Sequence, residues 1–253
     1  MHITLLSCRR TEAASLVIRQ NAKRILLCLL AVFSVSAQAG ELRQDSGWWA
    51  QMETHTNLGH FNPALKNLRL WTTGEARFFD DFSHFSQGIV RIAPGYQIHD
   101  NVTLFLGYTW VPNRLGNGLD FDEHDINQAV SWAFKPDWGK FSGRTMLEWR
   151  FVTHDSEVAA RLRQKFRADY PLPRIHPHLK LIGWEEMFFN LNSVAWGPSG
   201  GFDQNRAFLG LGWQLDRNAH YALELGYLNQ FIHLTGKPNV MNHMLFTGVQ
   251  FRF

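Results

Sequence analysis

Arg161, Arg163, Lys165 and Arg167 recur at every second residue, a period that puts four cations on one face of an extended strand. Such a face attracts anions if it is wet and needs carboxylate partners if it is dry. His233 and Thr235 are also two residues apart, a spacing that could set an imidazole beside a hydroxyl, as a base-activated nucleophile requires. They are the nearest catalytic candidates in the chain. Gly236 follows them and no third orienting residue is evident, so an exposed loop histidine is the plainer reading and an enzyme is not the favoured expectation. The run Asp122, Glu123, His124, Asp125 holds paired acids and a histidine, but a charged surface loop explains it equally well. His176 and His178 flank Pro177 in an expected turn without a third ligand, so no metal site and no cofactor are expected. Gly116-Asn117-Gly118 and Gly197 to Gly201 read as loop tips rather than phosphate cradles.

The elements that carry these residues depend on where the mature chain begins. Lys23 and Arg24 precede Ile25 to Val35, an apolar run interrupted only by Ser34, and Ala37-Gln38-Ala39 is a small-x-small cleavage site. Residues 1–39 are therefore expected to be a presequence with a cleavable signal peptide, and residues 40–253 the mature domain. Residues 1–22 are an unusual preface, which makes a translation start near Leu16 or Val17 the alternative. Removing the presequence takes five of 25 basic residues and one of 22 acidic ones, leaving 20 against 21. That balance gives no basis for nucleic-acid binding. Both cysteines, Cys8 and Cys28, leave with it, so disulfides and thiolate chemistry are excluded from the mature domain.

Alternation with a period of two dominates the remainder. Arg69, Trp71, Thr73, Glu75 and Arg77 oppose Leu68, Leu70, Thr72, Gly74, Ala76 and Phe78, and the same pattern recurs around Leu104, Leu147, Leu209 and Leu223. Eleven segments are expected: 47–58, 66–79, 86–98, 102–110, 124–134, 141–153, 158–170, 178–189, 203–214, 220–231 and 241–253. The last strand ends on Phe251 and Phe253. It resembles the closing strand of bacterial outer-membrane β-barrels, a signature read by their assembly machinery. With that strand descending, Tyr96, Trp132, Phe134, Trp213 and Tyr221 are expected at periplasmic ends and Trp110, Trp149 and Phe231 at outer ends, as two aromatic girdles. Short connections are expected inside and longer ones outside.

The expected fold is an all-β, transmembrane, antiparallel up-and-down β-barrel. Bacterial single-chain barrels have an even strand number, so twelve strands are expected, with ten as the alternative and the conflict located before residue 60. Pro94 calls for an irregularity such as a bulge, since proline cannot donate to the ladder. In order along the chain, Trp48-Trp49, Leu70-Trp71 with Glu75-x-Arg77-Phe78, Ile92-x-Pro94-Gly95-Tyr96, Glu185-Glu186-x-Phe188-Phe189, Phe202-Asp203-Gln204-Asn205-Arg206 and Glu224-x-Gly226-Tyr227 resemble family 2490 of domains of unknown function. That resemblance implies a small barrel in the outer membrane of a Gram-negative bacterium, with no activity attached.

Function then falls to the inward face. Arg69, Arg77, Arg144, Arg150, Arg161, Arg163, Lys165, Arg167 and Arg206 are expected to point inward, against fewer acids: Glu75, Glu148, Glu224 and one of Glu185 or Glu186. A structural or passive-transport barrel with an Arg-rich lumen is the expected function. A small anion-favouring pore and a barrel-wall lipid hydrolase are the alternatives. Outer-membrane lipids, lipopolysaccharide and the barrel-assembly machinery are the expected partners, and oligomeric state is left open. Replacing Arg161 and Arg163 should alter ion selectivity if the lumen is open and only stability if it is filled.

Overall fold

Alternating side chains with one charged and one apolar face favour a sheet closed on itself, since closure removes unpaired edges. The computed structural model describes residues 42–116, 118 and 120–253; the presequence and its cleavage site lie outside the described residues. One closed barrel is formed by β1 (Leu42–Asn57), β2 (Leu68–Phe79), β3 (His84–His99), β4 (Val102–Asn113), β5 (Phe121–Phe134), β6 (Lys140–Val152), β7 (Ala159–Pro171), β8 (Leu179–Asn190), β9 (Gly201–Gln214), β10 (Tyr221–Ile232) and β11 (Asn239–Arg252).

The number of strands is eleven, which corrects the expectation of twelve or ten. Successive strands pair antiparallel, but β1 and β11 close the barrel in parallel, from Leu42 opposite Asn239 to His55 opposite Arg252. An even count is required only when closure is antiparallel, and the directional conflict expected before residue 60 is this parallel seam. Two backbone hydrogen bonds finish it: Asn57 N–H donates to the Phe253 carbonyl at 2.5 Å, and Phe253 N–H to that of His55 at 2.9 Å. The seam also lengthens β1, which starts at Leu42 rather than near residue 47.

Stagger sets the strand tilt. Cross-strand partners followed once around the wall lead from Asn57 through Arg69, Gly95, Phe105, Ala129, Met146, Arg163, Phe188, Gln204, Ile232 and Val240 back to Arg43. The path returns fourteen residues from its start on β1. A rise of about 3.3 Å per residue and a strand spacing of about 4.8 Å then give a tilt of roughly 40°. The irregularity expected at Pro94 takes the form of a gap rather than a bulge: the β3–β4 ladder is interrupted at Ala93 and Pro94 and resumes at Gly95 in the same register, so the missing N–H falls in the gap. Nor do the connections sort by length, because 58–67 at the end where β11 terminates matches 191–200 at the opposite end. The expected outer loop between Val111 and Glu123 is shortened by β4 and β5, which extend to Asn113 and from Phe121.

Inward glycines make room for large rings. Gly210 and Gly226 are cross-strand partners, with the Phe208 ring lying over them. A Cβ on Gly226 would stand 2.4 Å from the Leu209 carbonyl oxygen and 2.8 Å from that ring. Gly226→Ala is expected to cost about 1–3 kcal/mol through overpacking, read as a lower urea midpoint for unfolding of the refolded protein.

Candidate functional site: the barrel interior

Polarity is inverted relative to an ordinary protein core. Val90, Ile92, Leu106, Leu211 and Leu225 face outward, each between 46% and 58% exposed, while Glu148, Asn127 and Asp125 are buried inside at 1% or less. Much of the charged interior is paired in a lattice of ion pairs. Glu148 on β6 accepts from Arg161 Nε at 2.8 Å and from Arg163 Nη1 at 2.7 Å, with Arg91 at 3.7 Å. Arg163 reaches across to Glu186 at 2.8 Å, and Arg144 approaches the same carboxylate at 3.4 Å. Arg150 forks onto Glu123 at 2.7 and 2.8 Å, the bidentate geometry a guanidinium favours. Arg77 pairs with Glu75 at 2.6 Å, and Arg167 bridges Asp169 and Glu224 at 2.6 and 2.5 Å.

The four-cation face of β7 is thus real but mostly neutralised. Inward acids are more numerous than expected, and Glu53, Glu123, Asp125 and Asp169 correct that count. Glu186 is the inward member of its pair, while Glu185 faces outward and accepts from Asn205 at 2.6 Å. The missed acids obey the same period of two. Glu53 shares the face of Trp49, and Asp169 that of Arg167; Glu123 joins Asp125 in β5, which begins at Phe121 rather than at residue 124. Arg69 lies near the end where β11 terminates, bonded to Asn57 Oδ1 at 2.7 Å and to Gln97. Arg206 lies deep inside and makes no ion pair among the described residues.

Aromatic side chains fill much of what the ion pairs leave. Trp49, Trp184, Phe208 and Phe246 form one buried cluster with Ile182, Leu228 and Met244, and Trp71, Phe105 and Met146 form another with Ala93 and Ala129. Arginines stack onto these rings: Arg77 lies 3.6 Å from the Trp49 centroid and Arg144 4.4 Å from that of Trp71. What remains is a far chamber of about 520 Å³ at the end opposite the chain terminus, a chamber of about 290 Å³ at the terminal end, and a central cavity of only about 20 Å³. The central cavity shares Arg91, Arg163 and Arg206 with the far chamber and Glu53, Arg144 and Lys165 with the terminal one. The interior is therefore two vestibules divided by a packed layer.

His233 and Thr235 lie in the 233–238 connection after β10. His233 Nδ1 faces Asn239 Oδ1 at 3.1 Å, and its ring packs 6.5 Å from that of Phe202. His176 stacks on Trp213 at 4.3 Å in the 172–178 connection. Two outward pairs repeat one geometry: Tyr108 with His124 and Tyr227 with His243, each 2.6 Å from phenol oxygen to Nδ1.

These features define a closed β-barrel with a charged, largely filled interior and an apolar outer wall. Residues 46–242 match the family described as Protein of unknown function (DUF2490), and the chain belongs to that family. It is also 28% identical over 237 residues to an uncharacterised protein of Methylorubrum extorquens, covering 91% of this chain and 98% of that protein. No solved structure matches it.

Proposed function

We propose that the protein is an integral outer-membrane β-barrel of a Gram-negative bacterium whose lumen is closed at rest, with a structural rather than a solute-passing role. The observation that carries this reading is the inverted polarity of the wall. Leu104 and Leu106 on β4, Leu209 and Leu211 on β9, and Leu223 and Leu225 on β10 are all exposed on the outside of the wall, an apolar surface of a kind that water-exposed monomers avoid. Strand length supports it as well: twelve residues at the tilt derived above rise roughly 30 Å, enough to cross an apolar band of about 25 Å. Tyr96, Phe134, Trp213, Tyr221 and Phe253 are exposed near the terminal end, and Trp110 and Trp149 toward the other. Both groups stand where interfacial girdles would be. In this reading β11 descends to the periplasm, its Phe251 and Phe253 serve the assembly machinery, and the far chamber opens outward toward lipopolysaccharide.

The packed layer between the vestibules favours a closed lumen over an anion pore. On cell fractionation the protein is expected in the outer membrane, and the purified barrel, inserted into planar bilayers, should give no discrete conductance steps. Recovery in the soluble fraction would overturn the membrane assignment. Frequent steps from protein shown to be folded would overturn the closed lumen.

A further inference from the structure

The two chambers differ sharply in charge balance. Six arginines and five carboxylates line the far chamber. Around the terminal chamber stand five cations, Lys140, Arg144, Lys165, Arg167 and Arg252, with Glu53 as the one carboxylate among the described residues. Glu53 is already bonded to His55 at 2.8 Å. Arg167 is turned to Asp169 and Glu224, and Arg144 is held at 3.4 Å from Glu186. Lys140, Lys165 and Arg252 form no ion pair among the described residues: Lys165 lies 4.0 Å from the Trp184 centroid, and Arg252 bonds to Gln250.

Geometry arranges these cations as a funnel. Arg144 and Lys165 are cross-strand partners at its inner end, while Lys140 and Arg252 stand at the first residue of β6 and the last of β11, at the mouth. Ser131, Ser142, His55 and Gln250 line the chamber with them. Like charges gathered inside a low-dielectric wall repel one another and focus a positive potential along the cavity. A counter-anion relieves that repulsion, and ammonium, guanidinium and hydroxyl groups can all donate to its oxygens.

We propose that the terminal chamber binds a small oxyanion carrying two or more negative charges. Its volume of about 290 Å³ suits a group larger than a lone chloride. A lipid phosphate is disfavoured because the surrounding strands form a continuous hydrogen-bonded wall, leaving the mouth as the way in. The charge geometry stands without the membrane assignment; that the mouth faces periplasmic solutes rests on the proposed function.

The test is calorimetric titration of inorganic pyrophosphate into the full mature barrel, refolded in uncharged detergent at fixed ionic strength. Saturable one-to-one binding is expected. Lys165→Gln and Arg252→Gln should each weaken it about tenfold, the loss expected for one charge-assisted hydrogen bond. Arg217→Gln, removing an exposed cation in the 215–220 connection at the same end, should leave it unchanged. Each variant is first shown to be folded by its heat-dependent gel mobility. Absence of saturable heat, or an equal loss in the Arg217 variant, would overturn the site in favour of diffuse attraction. Failure of the membrane assignment in fractionation would not alter this titration, so the two claims fail separately.

Discussion

Glu148→Ala should lower the unfolding free energy by about 3–5 kcal/mol, the range for removing one partner from a buried charge network. Glu148 is wholly buried and accepts from Arg161 and Arg163, with Arg91 a further 3.7 Å contact. Without the carboxylate, three guanidinium groups share one space with no anion at its centre. Their mutual repulsion adds to the lost pairing. Glu148→Gln keeps the shape and one acceptor oxygen but not the charge, so its penalty should fall between those of wild type and alanine. Urea unfolding of the refolded barrel, followed by tryptophan fluorescence, measures both. A loss below about 1 kcal/mol, as for an exposed pair, would mean that water screens the interior. Combining Glu148→Ala with Arg161→Ala should recover part of the loss, since the second change removes one of the orphaned cations. Because Arg161 is bonded to Glu148 with Asp203 at 3.6 Å, and Arg163 to Glu148 and Glu186, replacing either arginine is expected to change stability rather than ion selectivity.

Much of the barrel is legible in the sequence because a strand needs only a period of two to declare its faces. Each of the eleven segments read from alternation is a strand, with boundaries shifted mainly at Leu42, Asn113 and Phe121. Eleven alternating segments become eleven strands, and the even-count rule fails because it presumes antiparallel closure. Parallel closure of β1 on β11 is a long-range fact, carried by pairs such as Trp48 with Leu245, and no local pattern announces it. Within the site, cations are easier to read than their partners. The ladder from Arg161 to Arg167 stands out on one strand, whereas its acids come one or two at a time from Glu148, Asp169, Glu186 and Glu224. Whether the lumen is open was not legible at all. It depends on how Trp49, Trp184 and Phe246, contributed by strands far apart in the chain, pack together inside the barrel.

The joint variant Trp49→Ala with Arg206→Ala should convert a silent barrel into a conducting one. Both side chains line the small central cavity that separates the chambers, and the Arg206 guanidinium lies 4.8 Å from the Trp49 ring centroid. Arg206 is the safest charge to remove, since it makes no ion pair among the described residues and its buried Nε has no hydrogen-bond partner. Its loss therefore strands no carboxylate. Removing Trp49 costs more, about 3–5 kcal/mol for a buried aromatic, partly offset because a buried indole N–H without a partner leaves with it. Arg206→Ala alone should stay silent, because Trp49 still packs against Phe246 at 6.5 Å between centroids. Once the layer is breached, ions pass the Arg144 and Lys165 end of the terminal chamber, so a salt gradient should give a reversal potential of anion-selective sign. Silence from the folded joint variant would assign the seal to Arg91 and Arg163 instead, which line the same cavity. Cation preference would contradict the charge asymmetry itself, because the terminal chamber would then contribute less to the field than the balanced one outside it.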